Sequence, residues 1–392
     1  MAKRIYADNA ATTRLLPQVL DKMLPYLTEE YGNPSSLYSF GQTAREAVDA
    51  ARAAIATCLN GRPDEVFVTS GGSEADNWAI KMAARAMAAK GKKHIISTAF
   101  EHHAVLHTLQ ALEKDGFSVT LLPVHENGIV RVDELRAALR PDTALVSVMF
   151  ANNEIGTLQP IAAIGALCRE AGVLFHTDAV QAVGHVPVDF SAMHIDMLSL
   201  SAHKFHGPKG VGCLLIRRGL RFPNLIDGGA QEKNRRAGTK IWPASRHGGR
   251  VSNRLRQHGA GRPQIAARRD RLIRGLLSAV PRHASTGTWQ RLPGNVNISF
   301  EASRAKACCC CWTHGICASS GSACTSGSLD PSHVLLSIGL PHAVAHGSLR
   351  LTLSEETTDA DVDAMLAIIP EIVAKLRAMS PLWEKITAGE TV

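Results

Sequence analysis

The chain has 392 residues, of which 45% are hydrophobic and 20% charged, the balance of an ordinary globular protein. No apolar run reaches the length of a membrane span or of a signal peptide, so we expect a cytoplasmic protein with no membrane partner. The net charge of +8 is local: Lys233 to Arg269 contains eleven Lys and Arg and no acid, and the rest carries −3. Such a segment is more typical of a solvated surface than of a nucleic-acid interface, so we expect no nucleic-acid partner.

The first two-thirds of the chain alternates β-branched runs with amphipathic segments. The runs predict strands at 65–70, 94–100, 119–124, 144–152, 173–179, 197–203 and 212–218. Segments 72–90 and 158–171 predict helices between them. This order favours a mostly parallel sheet covered on both faces, with ligands beyond the carboxyl ends of the strands. A smaller α+β unit is predicted to begin near residue 262 and to finish with a helix at 359–377.

One predicted strand ends in a lysine whose position favours a chemical role. In "SLSAHKFHGPKG" (199–210), Ser201, His203 and Lys204 precede a Gly-Pro turn. Burial of an amine lowers its pKa and makes it a nucleophile that can form a Schiff base. Alternatively, the lysine extends its ammonium group to solvent.

Polar residues follow other predicted strands in the same way. Asp178 and Gln181 lie in "HTDAVQ" (176–181), while His102 and Asn153 each follow another strand. A buried aspartate near a lysine-bound pyridoxal cofactor would keep the pyridine nitrogen protonated. The alternatives are a helix N-cap for Asp178 and a structural role for His102.

The segment "TSGGSEADN" (69–77) is a glycine-rich turn that opens a helix. Backbone N–H groups in such a turn can bind a phosphate. The same residues could instead form a capping box from Ser73 to Asp76.

In combination with four further motifs, these clusters resemble the cysteine desulfurases that depend on pyridoxal 5'-phosphate (PLP). The motifs are "YADNAATT" at 6–13, "YGNPSSLYSFG" at 31–41, "RRAGT" at 235–239 and "SSGSACTSGSLDPSHVL" at 319–335. The resemblance covers nearly the whole chain, and details favour the nitrogen-fixation (NifS) type over the housekeeping type. It implies an α/β fold of fold type I, similar to aspartate aminotransferase, with a seven-stranded sheet in the large domain.

The resemblance also implies domain boundaries. The large PLP-binding domain would span 15–261. The small α+β domain would combine 1–14 with 262–392 and carry a mobile loop at about 319–333.

The resemblance implies a role for each matching residue. Lys204 would hold PLP covalently and shuttle protons. Asp178 would pair with the pyridinium nitrogen, and Gln181 would pair with the ring hydroxyl. His102 would stack on the ring and act in acid–base steps. The phosphate would be bound by Gly72, Ser73, Ser201 and His203, and by Thr239 from the second subunit of a homodimer. Asn153 would orient cofactor and substrate, and Arg350 would bind the substrate carboxylate.

Cys324 matches the nucleophile of this family. It would take the sulfur of L-cysteine as a persulfide, release L-alanine and pass the sulfur to an iron–sulfur scaffold protein for iron–sulfur or nitrogenase cluster assembly. No intrinsic metal site is implied, although Cys324 could transiently ligate a cluster. Two alternatives stay open: a lyase such as one acting on selenocysteine, which would not require Cys324, and a sulfur-carrier binding module that keeps the fold without the activity.

Six of the nine cysteines lie between Cys308 and Cys324, in a window that begins "CCCCW". Zinc and iron–sulfur sites prefer spaced cysteines, and disulfides are unusual in a cytoplasmic protein. Family members carry leucines here, and leucine codons CTG read one base late give TGC, which encodes cysteine. We therefore hypothesise that 304–312 and, by the same reasoning, 240–264 are frame-shifted text, the alternative being genuine divergence. Peptide mass mapping of the natural protein tests this hypothesis, and detection of a "CCCC" peptide would refute it.

Overall fold

The computed structural model describes residues 4–227, 262–303, 315–320 and 330–388. The helices are α1 (Pro17–Thr28), α2 (Ser39–Cys58), α3 (Gly72–Ala88), α4 (His103–Lys114), α5 (Val132–Ala138), α6 (Ile161–Ala171), α7 (Arg262–Ala279), α8 (His333–Ser337), α9 (His342–Ala345), α10 (Asp359–Ala378) and α11 (Pro381–Thr387). The strands are β1 (Ile5–Tyr6), β2 (Val66–Thr69), β3 (His94–Thr98), β4 (Ser118–Leu122), β5 (Thr143–Ser147), β6 (Leu174–Asp178), β7 (Met197–Ser201), β8 (Gly212–Ile216), β9 (His283–Ser285), β10 (Asn295–Phe300), β11 (Ile316–Cys317), β12 (Ser319–Ser320) and β13 (Ser348–Thr352).

The seven strands expected from the β-branched runs form one sheet, which confirms that prediction. Its order is β2-β8-β7-β6-β5-β3-β4. The strands from β7 through β4 pair in parallel, and β8 runs antiparallel to both of its neighbours. The α/β class with a mostly parallel seven-stranded sheet is therefore confirmed.

The sheet is buried because its central strands are apolar on both faces. Every residue of β3, β5, β7 and β8 is buried. On one face α3 packs with Trp78 fully buried, and on the other face a larger cluster includes Phe100, Val146 and Phe175. No helix in the described ranges combines the length and apolar character that a bilayer crossing needs.

A second core forms around a smaller antiparallel sheet of order β12-β13-β10-β9. The predicted helices over 262 onward and 359–377 are present as α7 and α10, and they pack against this sheet. Ile5 and Ala7 from the start of the chain belong to the same core, whereas Val334 and Leu335 of α8 pack into the core of the larger sheet. The exact domain boundaries stay a prediction.

The frame-shift hypothesis concerns the segments 304–312 and 240–264. The first segment and residues 240–261 of the second lie outside the described residues, whereas residues 262–264 form the beginning of α7.

Candidate functional site

The turn before α3 forms an anion cradle at the end of β2. Gly71 is the N-cap of α3 and adopts φ 153° and ψ −175°, a conformation that residues with a Cβ rarely adopt. A Cβ on Gly72 would lie 2.7 Å from Cγ2 of Val180, so both glycines are required by geometry. The N–H groups of the first turn of α3 have no partners within the helix and suit an anion.

The capping box from Ser73 to Asp76, the alternative interpretation of this segment, is not formed. The helix begins two residues earlier, at the Gly71 N-cap, and no side chain caps it. Instead the backbone N–H of Ser70 donates to Oε2 of Glu74 at 2.7 Å, while Asp76 is buried in the helix interior. The Ser73 hydroxyl is consequently left at the mouth of the turn.

The cradle opens into a cavity of about 430 Å³. Its lining combines backbone and hydroxyl groups with the His203 ring, the Lys209 ammonium and the Glu74 carboxylate. The residues are Thr12, Ser70, Gly71, Gly72, Ser73, Glu74, Ser201, His203, Lys209 and Gly210. The four residues that the resemblance assigned to phosphate (Gly72, Ser73, Ser201 and His203) are thus brought together here. Lys209 adds a positive charge that suits a phosphate, and burial with the nearby Lys204 and Lys209 lowers the pKa of His203 to about 4.

Lys204 lies beside this cavity in a short 3₁₀ turn that follows β7. Its Nζ donates to the carbonyl oxygens of Ala10 at 2.7 Å and Ala11 at 2.9 Å. The Ala10 carbonyl also accepts from Nε2 of Gln181 at 3.0 Å. One backbone oxygen of the N-terminal segment therefore holds two of the predicted site residues together.

Asp178 ends β6 next to Lys204. Burial raises the pKa of this carboxyl to about 6, while the N–H of Val180, which donates to Oδ1 at 2.9 Å, and the charge of Lys204 act in the opposite direction. Two further acids lie behind it: burial raises the pKa of Asp76 well above its ordinary value and that of Glu101 to about 8. A cation placed against Asp178 would keep it ionised.

His102 is the N-cap of α4, and its Nδ1 accepts from the backbone N–H of Ala104 at 3.1 Å. Burial, followed by the charge of Lys204, lowers the pKa of the ring to about 4, so His102 is neutral at pH 7. Because Nδ1 accepts a hydrogen bond, the proton of the neutral ring resides on Nε2. Both the structural role and the site role expected for His102 are compatible with this geometry.

Arg350 lies on β13 and is only 1% exposed. Its Nη1 donates to the backbone carbonyl of Asn153 at 3.2 Å, and its Nη2 donates to Oδ1 of Asp8 at 2.9 Å. The neighbouring Glu154 is also buried, which raises its pKa to about 7, and it accepts a 2.5 Å hydrogen bond from the Ser332 hydroxyl. The structure therefore brings Asn153 and Arg350 into direct contact.

Two predicted site residues, Cys324 and Thr239, lie outside the described residues. Sequence reasoning gave no role to the side chains of Asp8, Thr12 and Lys209 or to the Ala10 carbonyl. The motif "YADNAATT" drew attention to the first of these segments, but no local pattern indicated which groups it would contact.

Comparison with known proteins places the chain in a family. Residues 5–365 match the family model described as aminotransferase class-V. The chain belongs to the aminotransferase class-V family.

Within this family, the chain is 51% identical over 389 residues to a protein named cysteine desulfurase IscS from Clostridium botulinum, covering 98% of each chain. It is 50% identical to a protein of the same name from Methanosarcina thermophila, covering 98% of this chain and 95% of that one. A solved structure described as a NifS-like protein superposes with a TM-score of 0.88 at 34% identity, covering 95% of this chain and 100% of that one. Another, described as SspA in complex with cysteine, gives 0.79 at 33% identity over 90% and 100%.

Class-V aminotransferases use PLP, and the described residues fit that cofactor. The glycine cradle with its hydroxyls and cations suits the phosphate, and the buried Asp178 carboxyl suits a pyridinium nitrogen. Lys204 is the amine at the strand end between these two features.

The burial of the Glu101 carboxyl group behind Asp178 predicts that the stability of the protein depends on pH. Glu101 accepts from the Thr98 hydroxyl at 2.7 Å and from the Met149 N–H at 2.9 Å through Oε1, while Oε2 has no partner in the described part of the chain. Since burial raises its pKa from 4.5 to about 8, the folded state holds this proton more tightly than the unfolded state. Its contribution to stability is complete below pH 4.5 and is lost as the pH rises to about 8.

Glu101→Gln removes the ionisation but keeps the acceptor. We expect the stability of the variant relative to the parent protein, measured as the free energy of unfolding in denaturant, to be greater at pH 8 than at pH 5, because only the parent must ionise a buried group. The exposed Glu113→Gln serves as the control. A difference between Glu101→Gln and parent that is the same at both pH values would show that Glu101 does not retain its proton in the folded state.

Proposed function

We propose that this protein is a PLP-dependent cysteine desulfurase that converts L-cysteine to L-alanine and leaves the sulfur as a persulfide on Cys324. The observation that carries the proposal is the position of Lys204, whose Nζ lies at the carboxyl edge of the sheet, hydrogen-bonded to Ala10 and Ala11, with Asp178 and His102 close enough to interact electrostatically. Relatives named cysteine desulfurase at 50% and 51% identity, and a structural relative described in complex with cysteine, support it.

PLP, when bound, withdraws electrons from the substrate carbon atoms and so makes the carbon–sulfur bond easier to break. The chain's own residues must then position the substrate and move protons. Asp178 would pair with the ring nitrogen of the cofactor, and Lys204 and the Val180 N–H partly offset the burial that raises the pKa of this carboxyl to about 6. Gln181, whose Nε2 donates to the Ala10 carbonyl, would keep its side-chain oxygen available for the ring hydroxyl.

Lys204 supplies the amine that holds the cofactor and, once released, carries protons. The carbonyls of Ala10 and Ala11 stabilise its ammonium form at the protein interior, where an unpaired charge would be costly. His102 offers a neutral, flat ring for stacking. Any proton that His102 exchanges passes through Nε2, because Nδ1 accepts a hydrogen bond from the backbone N–H of Ala104.

Arg350 binds the substrate α-carboxylate, a planar anion that matches the two parallel donors of guanidinium. Asn153 is fixed beside it through its backbone carbonyl and orients cofactor and substrate. Burial of this cation strengthens its attraction for a carboxylate relative to a fully hydrated site.

The sulfur transfer itself requires a thiolate. The Cys324 thiolate attacks the substrate sulfur, the S–S bond of the persulfide forms as the carbon–sulfur bond breaks, and the substrate carbon takes up protons to give L-alanine. The persulfide then passes to an iron–sulfur scaffold protein. A selenocysteine lyase, the alternative within this enzyme class, would release its product without needing Cys324.

The finer assignments in this proposal are the domain division at residues 15–261, the cytoplasmic location and the NifS type. The separate core around the smaller sheet supports the first. The relatives at about half identity are named IscS, so a nitrogen-fixation role in preference to a housekeeping role stays a prediction.

We further propose a homodimer. A patch of exposed apolar side chains runs along one side of α1 and into the segment that follows it: Leu20, Leu24, Leu27, Tyr31, Leu37 and Tyr38, each 45% exposed or more. Contiguous apolar surface of this kind usually marks a protein–protein interface. A second copy also fits the expected contribution of Thr239 to the partner's phosphate site.

Leu24→Glu combined with Leu27→Glu should produce monomers, because the interface would then have to bury two carboxylates. Analytical ultracentrifugation measures the mass. Leu121→Glu, which adds a carboxylate to an exposed apolar position on the edge strand β4, is the matched control. A dimer that survives the double substitution would place the interface elsewhere.

The activity has a direct test at Cys324. With L-cysteine and a thiol reductant, the parent protein should yield sulfide and alanine in equal amounts. Cys324→Ala should reduce sulfide formation at least about a hundredfold, the minimum expected for loss of a nucleophile, while the visible absorbance of bound PLP stays unchanged.

Cys58→Ala, at the end of α2, is the control and should keep full activity. Full sulfide production by Cys324→Ala would rule out the persulfide mechanism. It would favour the lyase alternative.

A further inference from the structure

The Arg350 guanidinium already has a carboxylate partner inside the chain. Nη2 donates to Oδ1 of Asp8 at 2.9 Å, and the side chains of Arg350 and Asp8 are 1% and 18% exposed. Asp8 comes from the N-terminal segment, 342 residues away in the chain. An arginine this deeply buried needs a counter-charge, because an uncompensated cation in the interior is strongly destabilising.

Asp8 is itself held in place from the opposite side. The Ser319 hydroxyl donates to Oδ2 of Asp8 at 2.8 Å, and Ser319 pairs with Arg350 in the register of β12 and β13. The backbone of Asp8 forms a bridge with Thr352 on the same strand. The carboxylate is therefore fixed by one neutral donor and one charged donor, and its side chain retains some access to solvent.

The other two nitrogen atoms of the guanidinium make weaker hydrogen bonds to the described residues, or none. Nη1 donates to a neutral backbone carbonyl at 3.2 Å, and Nε has no hydrogen-bond partner among the described residues. One carboxylate at a time can take the strong charge-assisted contact, since two carboxylates against the same cation repel each other.

We propose that Asp8 and the substrate α-carboxylate compete for the Arg350 guanidinium, so that Asp8 sets how tightly the site binds amino acids. This inference rests on the proposed role of Arg350 in substrate binding. Arrival of the substrate carboxylate breaks the Arg350–Asp8 contact, and the Asp8 carboxylate turns toward Ser319 and solvent. Departure of the product allows the contact to form again.

The competition has a functional consequence. Substrate L-cysteine and product L-alanine carry the same α-carboxylate, so a site that bound this group too tightly would retain its product. An internal carboxylate weakens the binding of both and keeps Arg350 oriented and charge-compensated between turnovers. Asp8 thus acts as a positioning and affinity-setting residue and takes no part in bond breaking.

Asp8→Asn tests the proposal because it removes the charge and keeps an oxygen that can accept from Nη2. The probe is 3-mercaptopropionate, which has the carboxylate and thiol of the substrate but no amine, and its Kd is measured by calorimetry with the PLP-loaded protein. We expect the Kd to fall about tenfold, as when a competing state that holds about nine-tenths of the population is removed. The KM for L-cysteine should fall in parallel, with kcat changed far less.

The uncharged 3-mercaptopropionamide is the matched probe and should bind equally to parent and variant. Asp133→Asn, an exposed carboxylate in the first turn of α5, is the matched control variant. If Asp8→Asn leaves the Kd of 3-mercaptopropionate unchanged or raises it, Asp8 only supports Arg350 and the proposal is wrong.

Arg350→Gln separates this inference from the proposed function. If it does not weaken 3-mercaptopropionate binding, Arg350 is not the carboxylate site and the proposed role fails first. If it weakens binding while Asp8→Asn does not strengthen it, only the competition is refuted. Should Asp8→Asn not fold, Asp8→Glu gives the same comparison, because a displaced carboxylate reaches Nη2 less well and the Kd must then fall; an unchanged or higher Kd refutes the competition.

Discussion

The backbone of residues 8–13 is the element on which the site depends. The Ala10 carbonyl accepts from both Lys204 and Gln181, and the Thr13 hydroxyl donates to the carbonyl of His203 at 2.9 Å. The same segment reaches the smaller sheet, where the Asn9 side chain donates to the carbonyl of Thr352 at 2.7 Å. Buried ammonium and amide groups need acceptors, and the Ala10 carbonyl provides one for Lys204 and Gln181, while Asn9 and Thr13 donate to backbone carbonyls that follow strands of the two sheets or lie on them.

Burial sets the electrostatic character of the site. It raises the pKa of Asp178, Glu101 and Asp76 and lowers that of His102 and His203, so charged forms persist only where a partner stabilises them. Lys204 is the cation that helps to keep Asp178 ionised, and the same charge helps to keep His102 neutral. Burial and the charge of one lysine therefore act together on both neighbouring groups, with the lysine favouring the charged form of Asp178 and the neutral form of His102.

The larger sheet could be predicted from the sequence. Its strands are buried on both faces, and such strands appear in the sequence as continuous runs of β-branched residues. The sequence also located Lys204, Asp178, Gln181 and His102 by a single rule, that ligands bind at the carboxyl ends of parallel strands. The predicted start of a helix at residue 72 is confirmed by α3, whereas the alternative capping box from Ser73 to Asp76 is not formed, because Gly71 is the N-cap and Glu74 accepts from the backbone N–H of Ser70. The contacts of Asp8 and Ala10 could not be predicted, since they join residues 342 and 194 positions apart and depend on tertiary packing.

The central claim is that Lys204 is the residue that holds the cofactor. Borohydride reduction of the PLP-loaded protein fixes the cofactor permanently to the amine that carries it, and peptide mass spectrometry then identifies that residue. We expect a pyridoxyl group on Lys204 alone, although Lys209 lies in the lining of the adjacent cavity. A label on Lys209 or on any other lysine, with Lys204 unmodified, would contradict it.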